Sequence, residues 1–211
     1  MVQLLNSHPD VIEFILAKIQ NANILKFIAD NFEDELIREE ANKRIKFVPI
    51  TPKEKAVLEI MVQYENMPGG GGFTPEQIQD AKEELQAGGT YKVENDQMLT
   101  GANISVAITD DFMEAVKNDA DWTLKFPDVD NYTEEEMDAY NAEYHKYPDP
   151  RDWEAKGYAI KEYYTLPAKE LWKLINFSAT YSAEPGLFFI DRANQMATSQ
   201  AYGQKVVSTN P

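Results

Sequence analysis

The chain has 211 residues, a formal net charge of −16 and no cysteine. That length allows one or two domains at roughly 100–200 residues each, and 43% apolar content with 3 Trp, 11 Tyr and 10 Phe is ample for a packed core. The charge argues against a nucleic-acid partner, and the cysteine count excludes a disulfide framework, a zinc–thiolate site, an iron–sulfur cluster and a thiol nucleophile among these residues.

No apolar run approaches the roughly 18–20 residues of a membrane span, and residues 1–15 lack the basic start and small-residue cleavage site of a signal peptide. A cytoplasmic protein without a membrane partner is expected.

Residues 2–5 read as a short strand, Asn6-Ser7-His8-Pro9-Asp10 as a turn, and Val11, Ile12, Ile15, Leu16 and Ile19 as the core stripe of a helix. Residues 23–44 read as a continuous helix with an acidic face and a basic end. Thr51-Pro52-Lys53-Glu54 is a capping box opening a helix to about residue 64, and Thr74-Pro75-Glu76-Gln77 opens another ending at Gly88-Gly89. The tetraglycine 69–72 between them reads as a hinge, since no Gly-Lys-Ser/Thr follows to make a phosphate cradle.

Residues 103–109 alternate as a strand, 110–116 form a helix, and 122–126 form a second strand. Residues 128–154 carry ten acids against Lys146 and Arg151. Their start resembles a calcium loop, but Tyr132 occupies the third ligand position and Ala139 stands where the bidentate Glu belongs, so no metal site is assigned. An exposed helix over 133–144 inside a surface insertion is expected instead. Residues 159–165 read as extended, Pro167 opens a helix through Phe177, and Leu187-Phe188-Phe189-Ile190 reads as a strand covered on both faces. Residues 191–211 lack periodicity and are expected to fray.

Strands alternating with helical crossovers make the chain α/β, most simply in one domain. Neither His8 nor His145 sits in a catalytic motif, and the abundant carboxylates lie on helical faces, so spacing alone assigns no acid–base chemistry.

Three stretches resemble the large catalytic component of ribonucleotide reductases: Leu4-Leu5-Asn6-Ser7-His8-Pro9-Asp10-Val11-Ile12-Glu13-Phe14-Ile15, then Leu99-Thr100-Gly101-Ala102-Asn103-Ile104-Ser105-Val106-Ala107-Ile108-Thr109-Asp110-Asp111-Phe112-Met113, and Glu184-Pro185-Gly186-Leu187-Phe188-Phe189-Ile190-Asp191-Arg192-Ala193-Asn194 followed by Ser208-Thr209-Asn210-Pro211. The long insertions and the Asn-Pro tip are most similar to the adenosylcobalamin-dependent class; the di-iron class, with its radical-generating partner subunit, is the alternative within the family. The resemblance implies part of a ten-stranded α/β barrel, incomplete at both ends, with residues 1–211 as a partial catalytic domain carrying surface insertions at 30–95 and 127–160. It implies thiyl-radical reduction of ribonucleotides to deoxyribonucleotides. It makes Asn210 the active-site amide that hydrogen-bonds the ribose, with Ser208 and Thr209 contacting substrate hydroxyls. Asp96, Gln97, Met98, Leu99, Thr100, Gly101, Ala102 and Asn103 match the segment linking a deoxynucleotide effector to the substrate base.

Adenosylcobalamin is expected to bind mainly outside this chain. The implied partners are the missing parts of the enzyme, a thioredoxin-like reductant and a second copy in a homodimer. In the family the tip continues into the radical cysteine, so a fragment inactive alone is expected, its boundary left by a splicing element, a split gene or a partial gene. Open strand edges predict poor solubility or dimerisation of the isolated chain. A non-catalytic alternative reads the chain as an acidic α/β module whose residues 128–154 bind a basic partner.

Overall fold

The structure, a computed structural model, describes residues 2–5, 11–66, 71–94, 103–144, 146–147 and 149–206. In chain order these form β1 (Val2–Leu5), α1 (Val11–Leu16), α2 (Ala22–Asn31), α3 (Glu35–Lys43), β2 (Ile45–Pro49), α4 (Pro52–Gln63), α5 (Pro75–Ala87), β3 (Gly89–Val93), β4 (Ile104–Ile108) and α6 (Asp110–Lys117). There follow β5 (Asp121–Pro127), α7 (Glu134–Glu143), α8 (Pro150–Ala155), β6 (Ile160–Pro167), α9 (Ala168–Ser182), β7 (Gly186–Phe189) and α10 (Ile190–Met196).

Three strands make a parallel sheet in the order β1-β4-β7, with Val2 opposite Ile104 and Ser105 opposite Gly186. Gly186 permits the close approach, because a Cβ there would stand 3.0 Å from Ser105 Oγ. All five residues of β4 are buried, as in a strand covered on both faces. The expectation of such cover for 187–190 is corrected: Leu187 and Phe189 remain about 40% exposed on β7, which has β4 on one side only among the described residues, and Ile190 already opens α10.

The other strands pair outside this sheet, β2 with β3 and β5 with β6, both antiparallel. Among the described residues the strands therefore form three separate sheets and no closed barrel. One apolar core joins α1, α2, α3, α6 and α9 to β4, with Ile15, Leu25, Ile37, Phe112, Leu171 and Leu174 fully buried.

The expected continuous helix over 23–44 is two helices. Asp34 caps α3 by accepting from Ile37 N at 3.1 Å and receives the Tyr164 hydroxyl, while Glu170 accepts from Glu33 N at 3.0 Å. Long-range polar bonds thus satisfy the backbone at the break, and the acidic run that looks like a solvated face contains a cap. Both capping boxes form, at Thr51 and Thr74, and Gly88 ends α5 in the left-handed region with φ 72°. None of the described helices is long and apolar enough to cross a membrane.

Helix α9 ends at Ala183, held at φ 56° and ψ 14°, a left-handed conformation that disfavours a Cβ. Ala183→Gly is expected to raise stability by roughly 0.5–1 kcal/mol, after allowing for the greater freedom of glycine in the unfolded chain, as read from urea unfolding.

Candidate functional site

Parallel strands direct ligands to their carboxyl ends. Here β4 ends at Ile108 and β7 at Phe189, and α6 and α10 begin at once beyond them. A groove of about 400 Å³ lies at these ends, walled by Asp110 and Asp111 of α6, by Asp191, Asn194 and Gln195 of α10, and by Asp149, Arg151 and Asp152 at the start of α8. Gln200, Lys205 and Val206 close it.

Arg151 is its hub. Nη2 donates to Asp191 Oδ1 at 2.8 Å and to Asp149 Oδ2 at 2.6 Å, Nη1 donates to Asp191 Oδ2 at 3.0 Å and to Asp111 Oδ2 at 3.2 Å, and Nε donates to Asp149. The guanidinium fork matches two carboxylates at once, a geometry that lysine cannot reproduce. Asp191 Oδ2 also accepts from the backbone N–H of Asp110 at 2.8 Å, at the positive end of α6. The Arg151 hydrogen bonds, aided by that N–H, hold the Asp191 carboxyl below the usual carboxylate range against the effect of burial. Arg192 in turn binds Asp110 at 2.9 Å.

The groove is therefore rich in carboxylates whose cations are already engaged. Its acidic walls disfavour phosphate, and the Gln195 carboxamide is itself engaged, donating to Asp110 Oδ2 at 3.4 Å and accepting from Arg192 Nη1 at 3.5 Å.

Residues 191–206 do not fray as expected. They form α10 and a 3₁₀ turn over Thr198–Tyr202, and the chain then returns to the groove. Asn194 Nδ2 donates to Val206 O at 3.0 Å and Val206 N–H donates to Asn194 Oδ1 at 2.7 Å, while Lys205 reaches Asp152 at 2.9 Å. These are tertiary bonds, invisible to local periodicity.

The acidic insertion also differs from the expectation. Helix α7 buries no residue, as foreseen, but the segment has an aromatic core of its own. Trp153 is fully buried, its ring 4.8 Å from that of Tyr140 and 4.9 Å from that of Tyr158, with Nε1 donating to Tyr147 O at 2.6 Å. Burial, with Tyr144 and Tyr132 nearby, pushes the Tyr140 phenol well above its ordinary range. Arg151 and Trp153 lie two residues apart on α8, so one short helix both packs the insertion and ties it to the strand ends.

Of the residues singled out from the sequence, Ser208, Thr209 and Asn210 lie outside the described residues, as do Asp96, Gln97, Met98, Leu99, Thr100, Gly101 and Ala102. Asn103 is described, and it stands exposed immediately before β4. Glu94, the last described residue before Asn103, donates its backbone N–H to the Arg44 carbonyl at 2.8 Å. Arg44 is buried, and its Nε and Nη2 find no hydrogen-bond partner among the described residues. Among the described residues no group of three His, Cys, Asp or Glu side chains could hold a metal ion.

Sequence reading assigned no role to Arg151 and Asp149, nor to Asp191 and Asn194, although the last two lie in a stretch that carries the family resemblance. A signal was present in Asp149-Pro150-Arg151-Asp152, where Asp before Pro marks a helix start and a lone Arg stands among acids.

Comparison with known proteins agrees with this architecture. The family model of the ribonucleotide reductase barrel domain matches residues 1–211. The vitamin B12-dependent ribonucleotide reductases of Bradyrhizobium diazoefficiens and Agrobacterium fabrum are 32% and 31% identical to the chain over 110 residues, which is 52% of this chain and 6% of each relative. With parallel strands feeding helices at a common carboxyl edge and the family's pattern running the whole length, the chain belongs to the ribonucleotide reductase barrel-domain family.

Proposed function

We propose that these residues form part of the catalytic barrel of an adenosylcobalamin-dependent ribonucleotide reductase, which reduces ribonucleotides to deoxyribonucleotides in the cytoplasm. The observation that carries this reading is the family match over residues 1–211, and the vitamin B12 dependence of the relatives supports the cobalamin class. In this reading β1, β4 and β7 are staves of a ten-stranded barrel completed by strands elsewhere in the enzyme. Residues 30–95 and 127–160 are insertions, a view supported by the separate pairing of β2 with β3 and of β5 with β6.

The carboxamide of Asn210 both donates and accepts, which suits it to hold two ribose hydroxyls in a fixed orientation. Ser208 and Thr209 add hydroxyls to the same substrate. The segment 96–103 carries the response to a deoxynucleotide effector, and Asn103 delivers it to the buried strand β4. The complete enzyme takes electrons from a thioredoxin-like dithiol and pairs as a homodimer.

Adenosylcobalamin supplies radical initiation when bound. The described residues do not fit it, because a groove of about 400 Å³ is at the small end of the ~300–1,000 Å³ that drug-sized ligands fill and a corrin is larger still. No step is assigned to it on this chain. With no cysteine among 211 residues, the chain cannot perform thiyl chemistry by itself.

In the polypeptide that joins this chain to the remaining barrel, Asn210→Ala is expected to lower kcat for ribonucleotide reduction at least about 100-fold, the cost of losing a fixed substrate orientation. Unchanged turnover would remove the assigned role.

A further inference from the structure

The segment from residue 197 to 206 is a compact excursion that leaves the end of α10 and returns to it. Gly203 turns it with φ 70°, Gly203 N–H donates to Gln200 O at 3.0 Å, and Gln204 N–H donates to Ser199 O at 3.1 Å. These bonds shape the excursion but do not fix its base. Two contacts do: the Lys205–Asp152 ion pair at 2.9 Å, and the carboxamide of Asn194 bonded in both directions to Val206. Lys205 is half exposed, so its ion pair is screened by solvent and tolerant of geometry. The Asn194 pair is directional. It uses both backbone polar groups of Val206, as a neighbouring strand would, and it fixes the direction of the chain at the last residue before 207–211.

Asn194 itself is held on α10, whose first turn is anchored through Asp191 to Arg151 and to the N-terminus of α6. The clamp thus refers the exit of the chain to the ends of the parallel strands.

We propose that Asn194 is a positioning residue for the reaction: through its paired hydrogen bonds to Val206 it sets where the segment 207–211 begins, and hence how Asn210 meets the ribose. This rests on the reading of 208–211 as the substrate-facing tip. Asparagine is the required residue because one face must donate to the Val206 carbonyl and the other must accept its N–H. An ionised aspartate would turn acceptor against acceptor, whereas a protonated one would again both donate and accept.

Two measurements test it. In the isolated 211-residue chain, amide hydrogen exchange at Val206, corrected for intrinsic rate, should accelerate at least tenfold in Asn194→Ala and in Asn194→Asp at neutral pH. Protection should return in Asn194→Asp as pH falls through the carboxyl range. In the complete enzyme, Asn194→Ala should lower kcat about 10- to 100-fold with KM for the ribonucleotide within threefold and the melting temperature unchanged, and Asn194→Asp should regain turnover relative to wild type at low pH. The exposed neighbour Met196 supplies the control, Met196→Ala being expected to change neither readout.

Unaltered exchange at Val206 would overturn the clamp. Altered exchange with wild-type kcat, or a kcat loss that merely follows a lowered melting temperature, would overturn the positioning role while leaving the proposed function intact. A complete wild-type enzyme that reduces no ribonucleotide would instead overturn the functional reading and this proposal with it.

Discussion

Arg151→Ala is expected to destabilise the chain by about 2–3 kcal/mol, measured as the shift in urea midpoint at neutral pH. The substitution strands Asp149, Asp191 and Asp111 beside Asp110 and Asp152 without their shared cation, and loss of one partner of a buried pair costs about 3–5 kcal/mol. The lower figure is adopted because a third of the Arg151 side chain is exposed and solvent screens the aspartates that remain. Arg151→Lys should recover less than half of the loss, since an ammonium cannot serve two carboxylates as a planar fork does.

The effect carries a pH signature. The folded-state pKa of Asp191 is depressed, so its contribution is present above the unfolded carboxylate value of 3.8 and is lost as pH falls through the lower folded value. The difference between wild type and Arg151→Ala should therefore be constant from pH 7 to about pH 5 and shrink below about pH 4. A difference that persisted undiminished to pH 2 would show that packing of the Arg151 stem, rather than its ion pairs, stabilises the site.

Trp153→Ala should cost still more, about 3–5 kcal/mol, as a fully buried aromatic lost from a cluster that cannot collapse around the void. The loss should be local first. Trp153 packs with Tyr140 and Tyr158 rather than with the core around β4, so hydrogen exchange should accelerate across α7 and α8 while Val106 and Ile108 keep their protection. Trp153→Phe, which keeps most of the ring area but leaves Tyr147 O without its donor, should cost only about 1–2 kcal/mol. Simultaneous loss of protection in β4 would mean that the acidic segment and the sheet unfold as one unit.

What the sequence revealed and what it hid divide along physical lines. Features written in neighbouring residues were legible: the capping boxes at Thr51 and Thr74, the αL glycine after α5, the strand β4, though not its burial on both faces, and the helices opened at Asp110 and after Pro167. Features decided at long range were not. Strands β2 and β3 pair across the two intervening helices α4 and α5, so neither Ile45–Pro49 nor Gly89–Val93 announces the other. The break before α3 depends on Glu170, 137 residues from Glu33. The order in 191–206 depends on a carboxamide meeting a backbone twelve residues away and a lysine meeting α8.

The candidate site follows the same rule. Arg151 looked like one of two bases in an acidic insertion, yet three carboxylate-bearing elements, α6, α8 and α10, converge on the groove it occupies. The family pattern pointed to Asn210 and residues 96–103, whereas the structure adds the brace of Arg151 and Asp191 and the pairing of Asn194 with Val206.

The most direct test is an assay of ribonucleotide reduction in the polypeptide that unites these 211 residues with the rest of the barrel, supplied with a dithiol reductant, with and without adenosylcobalamin. The predicted result is 2′-deoxynucleotide formed by the united polypeptide only when adenosylcobalamin is present, and none from the 211-residue chain alone. Deoxynucleotide production by the isolated chain, or none from the folded united enzyme with cofactor and reductant, would contradict it.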